Sequence, residues 1–199
     1  MEQIKYKEQE RIIVNKQSID YMEEDIIVRR GLERYMYARQ FVYGKVLDIA
    51  SGVGYGSYLL AKNPDVIKVV GVDKSEKAIS IGEANFANEK VTFVLGSPET
   101  IKETFDVLCC LETIEHLPNT SILPKLVDDC GIQEIVLSFP HKKTTHYNPH
   151  HLWDITQEDV IRLFEKFQCY KTTELHDSTI MNLVRVERNS NKPMLYKEK

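Results

Sequence analysis

A short apolar run that opens into a glycine-rich loop constrains the fold of this chain more than any other feature. Val46–Ala50 is apolar except for Asp48, and the loop that follows contains Gly52, Gly54 and Gly56 before an apolar, helix-like segment. Glycine adopts positive φ without steric cost and lets a ligand approach the backbone closely. A helix that begins there offers free N–H groups to an anionic group. The pattern therefore predicts a buried strand, a tight turn and a helix that together bind a ligand.

Apolar strand-like runs alternate with helical patterns over most of the chain. Strands are predicted at Val46–Ala50, Val66–Val72, Val91–Leu95, Phe105–Leu111 and Glu134–Phe139, and helices at Tyr55–Lys62, Ser75–Ala87, Ile122–Asp129 and Thr156–Phe167. Because alternating strands and helices form parallel sheets that are covered on both faces, we expect a doubly wound α/β fold. Two last strands, Tyr170–Leu175 and Ile180–Glu187, are predicted to form a terminal hairpin.

Length and composition are typical of one globular domain. The 199 residues predict a single domain, with a helical preface at residues 1–45, a core at residues 46–187 and a loose tail at residues 188–199. The net charge of −4 argues against a broad surface for polyanions. The four cysteines form no C-x-x-C pair, and no apolar segment approaches the roughly 18 residues of a membrane span. We expect a cytoplasmic protein without a membrane segment.

Two motifs together resemble a known family. Val46–Leu60, followed by Val69–Asp73, resembles motif I and the acidic end of the second strand in class I S-adenosylmethionine (SAM)-dependent methyltransferases. The dinucleotide-binding alternative requires G-x-G-x-x-G/A, whereas here the third glycine comes one position early. The resemblance spans about residues 32–186. It implies a seven-stranded, mostly parallel sheet of order 3-2-1-4-5-7-6 with strand 7 antiparallel, and an N-terminal helical lid over the SAM pocket.

The resemblance also implies which residues bind SAM and release S-adenosylhomocysteine as product. Asp48 would face the amino end of SAM, and Asp73 would accept both ribose hydroxyls. Ser97 stands where the family usually has the acid that bonds the adenine, and Glu99 could substitute for that acid. The other cofactor-binding residues that the resemblance implies are Tyr35, Ala50, Ser51, Gly52, Lys74 and Leu111.

A second motif, Glu112-Thr113-Ile114-Glu115-His116, brings together side chains that bind metals or move protons. In one helical turn Glu112, Glu115 and His116 would share a face. The motif resembles ubiquinone-biosynthesis O-methyltransferases and the enzymes that 2′-O-methylate small-RNA 3′ ends. In the RNA enzymes a distant histidine completes a metal site, a role open here to His146, His150 or His151.

The motif leaves three roles open. A divalent metal held by Glu112, Glu115, His116 and His151 would be Mn²⁺, Fe²⁺, Co²⁺ or Zn²⁺, given the mixed oxygen and nitrogen ligands. Without a metal, His116 first and His151 second are the candidate general bases, with Glu112 stabilising the loop. In the third role the turn is purely structural.

Three functions follow from these motifs. Glu33–Ala38 and Gly44–Asp48 resemble a bacterial subgroup associated with glycan modification, which implies O-methylation of a small molecule, sugar or glycan precursor. The alternatives are an RNA 2′-O-methyltransferase, which the acidic composition opposes, and a SAM-binding protein without catalysis. The sequence carries no signal for an oligomeric state.

Overall fold

The structure, a computed structural model, describes residues 16–186, with side chains from residue 25 onward. The predicted loose tail at residues 188–199 and the first 15 residues of the predicted preface lie outside the described part. The helices are α1 (Lys16–Ala38), α2 (Tyr55–Leu60), α3 (Glu76–Phe86), α4 (Ile122–Asp129) and α5 (Gln157–Leu163). The strands are β1 (Gly44–Ile49), β2 (Val66–Asp73), β3 (Val91–Leu95), β4 (Val107–Leu111), β5 (Glu134–Pro140), β6 (Phe167–Leu175) and β7 (Ser178–Arg185).

The seven strands form one sheet of order β3-β2-β1-β4-β5-β7-β6, which confirms the predicted topology. Strands β1 to β5 pair in parallel. Strand β7 runs antiparallel to β5 and to β6. Since parallel strands all end at the same edge, the loops after β1, β2, β3 and β4 meet there. This edge carries the candidate site.

Alternate residues of each central strand pack on opposite faces of the sheet. In β1, Val46 belongs to the apolar cluster beneath α1, α2 and α3, whereas Leu47 belongs to the cluster beneath α4 and α5. Both side chains are completely buried. This alternation with burial on both sides explains why the central strands are continuously apolar in sequence.

Helix α1 packs on one face of the sheet, next to α2. Its residues Tyr35 and Ala38 are buried in the apolar cluster, and Arg30 pairs with Asp177 in the β6–β7 turn at 2.8 Å. The described side chains of α1, from Asp25 onward, do not line the cavity at the carboxyl edge of the sheet; those of them that are buried pack on the sheet. Within residues 16–186 no helix has the length and apolar character needed to cross a membrane.

The predicted starts of α3 and α5 are confirmed, whereas the predicted end of α5 is not. Ser75 caps α3 by accepting a hydrogen bond from the Ala78 N–H, and Thr156 caps α5 in a capping box with Asp159. The prediction of α5 as far as Phe167 is wrong. Helix α5 ends at Leu163, because Phe167 begins β6 and pairs with Arg185 of β7.

Candidate functional site

A cavity of about 920 Å³ lies at the carboxyl edge of the sheet. At one end it is bounded by the residues that follow β1, β2 and β3, and at the other by the turn after β4 and the loop after β5. Residues lining the two ends include Ala50, Asp73, Lys74, Ser97 and Glu99 at the first, and Glu112, His116, His150 and His151 at the second. One continuous space therefore joins the two motifs singled out in the sequence.

The loop after β1 has the backbone that its glycines predict. Gly52 and Gly54 have φ of 55° and 91°, and Gly54 precedes the first turn of α2. A Cβ added at Gly52 would meet no atom within 4 Å. Next to it Ser51 is buried, and its Oγ has no hydrogen-bond partner. Open space beside a buried, unpaired hydroxyl fits a polar ligand that lies along this loop.

Asp73 connects the loop after β1 to the loop after β2. Its Oδ2 accepts a hydrogen bond from the Gly52 N–H, and its Oδ1 accepts one from the Ser75 N–H, both at 2.9 Å. Each carboxylate oxygen has a second acceptor position. Asp73 lines the cavity and can therefore accept hydrogen bonds from a vicinal diol while it holds the loop in place.

Asp48 lies behind the loop, away from the cavity wall. Its carboxylate is completely buried and accepts hydrogen bonds from the Tyr35 hydroxyl at 3.1 Å and the Ser57 hydroxyl at 2.6 Å. Burial raises the pKa of Asp48 to about 7, although both hydrogen bonds act in the opposite direction. Of the residues implied to bind SAM, the cavity lining lacks Tyr35, Asp48, Ser51, Gly52 and Leu111, and Tyr35 and Asp48 are joined by a hydrogen bond behind the loop.

Ser97, Glu99 and Lys74 form the far end of the cavity. Ser97 begins a short 3₁₀ turn over Pro98–Thr100, and its hydrogen bond to the exposed Glu99 lowers the pKa of that carboxyl. Since Glu99 lies beside Ser97 at this end, an acceptor is available close to the position where the family usually has an acid.

Glu112 is hydrogen-bonded to Ser138 of β5 and takes no part in the turn at Ile114–His116. Its N–H donates to Ser138 Oγ at 3.0 Å, and Ser138 Oγ donates to its carboxylate at 2.6 Å. Glu112 has a φ of 47°, and the 3₁₀ turn covers only Ile114–His116. The helical turn predicted over residues 112–116 does not form, because these bonds to β5 hold Glu112 in a left-handed conformation.

The structure gathers Glu115, His116 and His151 at the second end of the cavity. One ligand atom from each lies within 4.8 Å of the others, and the two imidazole rings meet edge to face with centroids 4.6 Å apart. Glu112 does not belong to this group, and His146 stacks on Tyr147 in the exposed loop instead. One carboxylate oxygen and two ring nitrogens therefore lie close together.

Electrostatics at this cluster favour a cationic or proton-donating ligand. Glu115 is completely buried, and neither carboxylate oxygen has a hydrogen-bond partner. Burial, and secondarily the nearby Glu112 carboxylate, raise the pKa of Glu115 to about 8. Burial and the neighbouring His116 lower the pKa of His151. A buried carboxylate without a donor is costly, so Glu115 keeps its proton near neutral pH unless a donor or a positive charge comes close to it.

The loop after β5 is held against the turn by three hydrogen bonds. The Leu152 N–H donates to the Glu115 carbonyl at 2.8 Å, and the Trp153 indole donates to the Leu117 carbonyl at 2.8 Å. The His150 carbonyl lies 2.8 Å from His116 Nδ1. Because a carbonyl only accepts, the neutral His116 ring carries its proton on Nδ1, which leaves the Nε2 lone pair free.

Three residues that hold the predicted site residues in place were not predicted from the sequence. Ser57 bonds Asp48, Ser138 bonds Glu112, and Thr144 lies 2.5 Å from His151 Nδ1. Only Ser57 lies inside a recognised motif. The other two are ordinary strand or loop residues whose partners become neighbours only in the folded sheet.

Comparison with known sequences finds a likeness to methyltransferases over the middle of the chain. Residues 46–130 match the family described as "Methyltransferase domain". Over 81 residues the chain is 36% identical to the ubiquinone biosynthesis O-methyltransferase of Azoarcus sp. (strain BH72). That match covers 38% of this chain and 34% of the relative, so the chain matches about a third of the length of this curated protein.

Comparison with solved structures extends the likeness over the whole sheet. The magnesium protoporphyrin IX methyltransferase of Synechocystis PCC 6803 with bound SAM has a TM-score of 0.62 and 21% identity, covering 88% of this chain and 86% of that one. The methyltransferase domain of bacterial CtHen1-C has a TM-score of 0.59 and 17% identity, covering 79% and 96%. The chain therefore has the Rossmann-like fold of these methyltransferase structures, and within it residues 46–130 match the methyltransferase-domain family.

Proposed function

We propose that the protein is a SAM-dependent methyltransferase that methylates a hydroxyl of a small molecule, sugar or glycan precursor. The observation that carries this proposal is one cavity lined by Ala50 and Asp73 and also by His116 and His151, the two histidines that form a cluster with the buried Glu115. A methyl donor and an acceptor must bind side by side, and this cavity would have room for both. The likeness to an O-methyltransferase of ubiquinone biosynthesis supports an oxygen acceptor.

The residues at the first end of the cavity fit SAM. Asp73 would accept the ribose hydroxyls, while Ser97 and Glu99 would meet the adenine. The backbone of the glycine loop and the unpaired Ser51 hydroxyl would meet the methionine end. Asp48 would act as a positioning residue, since its bonds to Tyr35 and Ser57 hold the start of α2 beneath the loop.

The cluster at the second end would prepare the acceptor. When bound, SAM would supply a methyl group on a sulfonium: an acceptor oxygen would bond to the methyl carbon as the carbon–sulfur bond opposite it breaks and S-adenosylhomocysteine leaves. The free Nε2 of His116 would take the hydroxyl proton as general base, and the buried Glu115 carboxyl beside it, 4.0 Å from Nε2, would stabilise the resulting imidazolium. Much of the acceleration would come from holding the two reacting groups in register.

A divalent metal at the same cluster is the second candidate, and it would extend the acceptors to vicinal hydroxyls such as RNA ends. The unpaired Glu115 carboxylate and the free His116 Nε2 fit a mixed oxygen and nitrogen donor set. The ligands of this metal would come from Glu115, His116 and His151, while Glu112 would stay hydrogen-bonded to Ser138. When bound, it would lower the pKa of the acceptor hydroxyl.

A methyl-transfer assay tests the proposal and distinguishes the two candidates. Transfer from labelled SAM to sugars, sugar nucleotides, phenols and short RNA is measured in the wild type and in His116→Gln, with His146→Gln as the matched control. We expect transfer to a hydroxylated small molecule that falls about 100-fold or more in His116→Gln and persists in His146→Gln. Transfer abolished by EDTA and restored by Mn²⁺ supports the metal. Full activity of His116→Gln contradicts the assigned base.

A further inference from the structure

The loop that carries His151 has a support of its own. Thr144 is buried, and its Oγ1 lies 2.5 Å from His151 Nδ1. The Thr144 N–H donates to Asp154 Oδ1 at 2.8 Å, and Asp154 also accepts from the Thr145 N–H and hydroxyl. Asp154 thus fixes the backbone of Thr144, and the Thr144 side chain fixes one edge of the His151 ring.

The role of the Thr144 contact depends on what the second ring nitrogen of His151 faces. His151 contributes one ring nitrogen to the cluster with Glu115 and His116, and because Nδ1 faces Thr144, we infer that the nitrogen left for the cluster is Nε2. Neither Glu115 oxygen receives a hydrogen bond. A proton on Nε2 would face a buried carboxylate without bonding it. If His151 Nε2 carries no proton, His151 has the same tautomer as His116, whose Nδ1 contact with the His150 carbonyl leaves its own Nε2 unprotonated.

We propose that Thr144 is a positioning residue: its hydroxyl oxygen accepts the Nδ1–H of His151 and thereby keeps the Nε2 lone pair directed at Glu115 and His116. Thr144 itself does not touch the reacting atoms. Its hydroxyl sets the tautomer of His151, as a hydrogen-bond partner on the second ring nitrogen commonly does for working histidines.

The consequence is a cluster with two free ring nitrogens. Two imidazole lone pairs then lie next to the buried Glu115 carboxyl, so a ligand that brings a hydroxyl proton or a positive charge can bond both rings. An acceptor substrate with a free hydroxyl, or a divalent cation, is such a ligand. The inference rests on the proposed function for the meaning of the cluster, whereas the tautomer of His151 can be read without SAM or an acceptor.

Nitrogen-15 NMR of the six imidazoles tests the tautomer directly. Spectra of histidine-labelled protein are recorded about two pH units above the ordinary imidazole pKa of roughly 6.5, and His151 is assigned by its loss in His151→Gln. The variants are Thr144→Val, which keeps the shape and removes the hydroxyl, Thr144→Ser, which keeps the hydroxyl, and Thr145→Val as the matched control on the same aspartate.

We expect His151 to carry its proton on Nδ1 in the wild type, in Thr144→Ser and in Thr145→Val, and to lose this preference in Thr144→Val. A proton on Nε2 in the wild type overturns the proposal, and so does an unchanged Nδ1–H preference in Thr144→Val. If Thr144→Val does not fold, the wild type and Thr144→Ser still decide the tautomer. A failure of SAM to bind would count against the proposed function alone and would leave this result intact.

Discussion

The Asp48 carboxyl group is completely buried. Two hydroxyl donors, Tyr35 and Ser57, partly compensate its burial, yet its pKa still rises to about 7 from an ordinary value of 3.8. The ionised form is therefore less favourable in the folded protein than in the unfolded chain. The titration of Asp48 therefore couples folding to pH.

Replacing Asp48 by asparagine should flatten the dependence of stability on pH. Between about pH 4 and pH 7 the unfolded chain ionises this group first, so the free energy of unfolding falls by about 1.4 kcal/mol per pH unit. Above pH 7 both states are ionised and this contribution levels off. Urea unfolding from pH 5 to pH 8 measures the slope in the wild type and in Asp48→Asn.

Glu115, whose pKa is raised to about 8, contributes a slope of the same sign up to a higher pH. Glu115→Gln therefore serves as the comparison, and each variant should remove its own part of the slope. An Asp48→Asn variant with the wild-type slope would show that Asp48 does not titrate in this range.

At the scale of elements, the contact between α1 and α2 depends on a residue without a side chain. A Cβ added at Gly56 would lie 2.1 Å from the ring of Tyr35. The same ring meets Tyr55 edge to face at 5.5 Å, and its hydroxyl reaches Asp48. Gly56 thus allows α1 to approach closely enough for Tyr35 to support the glycine loop from below.

Gly56→Ala should destabilise the protein even though alanine favours helices. Forcing the Tyr35 ring away costs about 1–3 kcal/mol, which exceeds the gain of about 1 kcal/mol in helix propensity. The matched control is Gly131→Ala: Gly131 has a φ of 67° and open space around an added Cβ, so only backbone strain of about 1 kcal/mol applies. Thermal unfolding of both variants measures the difference, and a Gly56→Ala variant more stable than the wild type would refute the close approach.

The sequence predicted elements well where a local rule governs them. Strand β3 and helix α4 have the predicted bounds, since each is a clear apolar run or an amphipathic period. Ser75 and Thr156 cap their helices as predicted, because a cap depends on residues only three positions away.

The sequence failed where a distant partner decides the backbone. The spacing of Glu112 and His116 predicted one helical turn, but Ser138, 26 residues further along, holds Glu112 out of it. Thr144 likewise gave no signal, because its contact with His151 crosses an irregular loop. Such contacts depend on tertiary packing, which neither periodicity nor motif spacing encodes.

At the scale of the whole molecule, the sheet brings two separate motifs to one edge. Motif I follows β1 and the Glu115–His116 turn follows β4, and these two strands are neighbours in the sheet. The loop after β5 then adds His151 from the next strand along. The fold alone thus assembles a cavity with Asp73 at one end and His116 and His151 at the other.

Calorimetric titration of SAM tests the central claim most directly, because every proposed role depends on a methyl donor in this cavity. Wild type, Asp73→Asn and the matched control Asp65→Asn, an exposed aspartate before β2, are titrated with SAM and with S-adenosylhomocysteine. We predict one saturable site in the wild type and in Asp65→Asn, and affinity about tenfold or more weaker in Asp73→Asn, as expected for a lost charged hydrogen bond. Absence of binding to the wild type, or equal affinity in Asp73→Asn, would contradict the account.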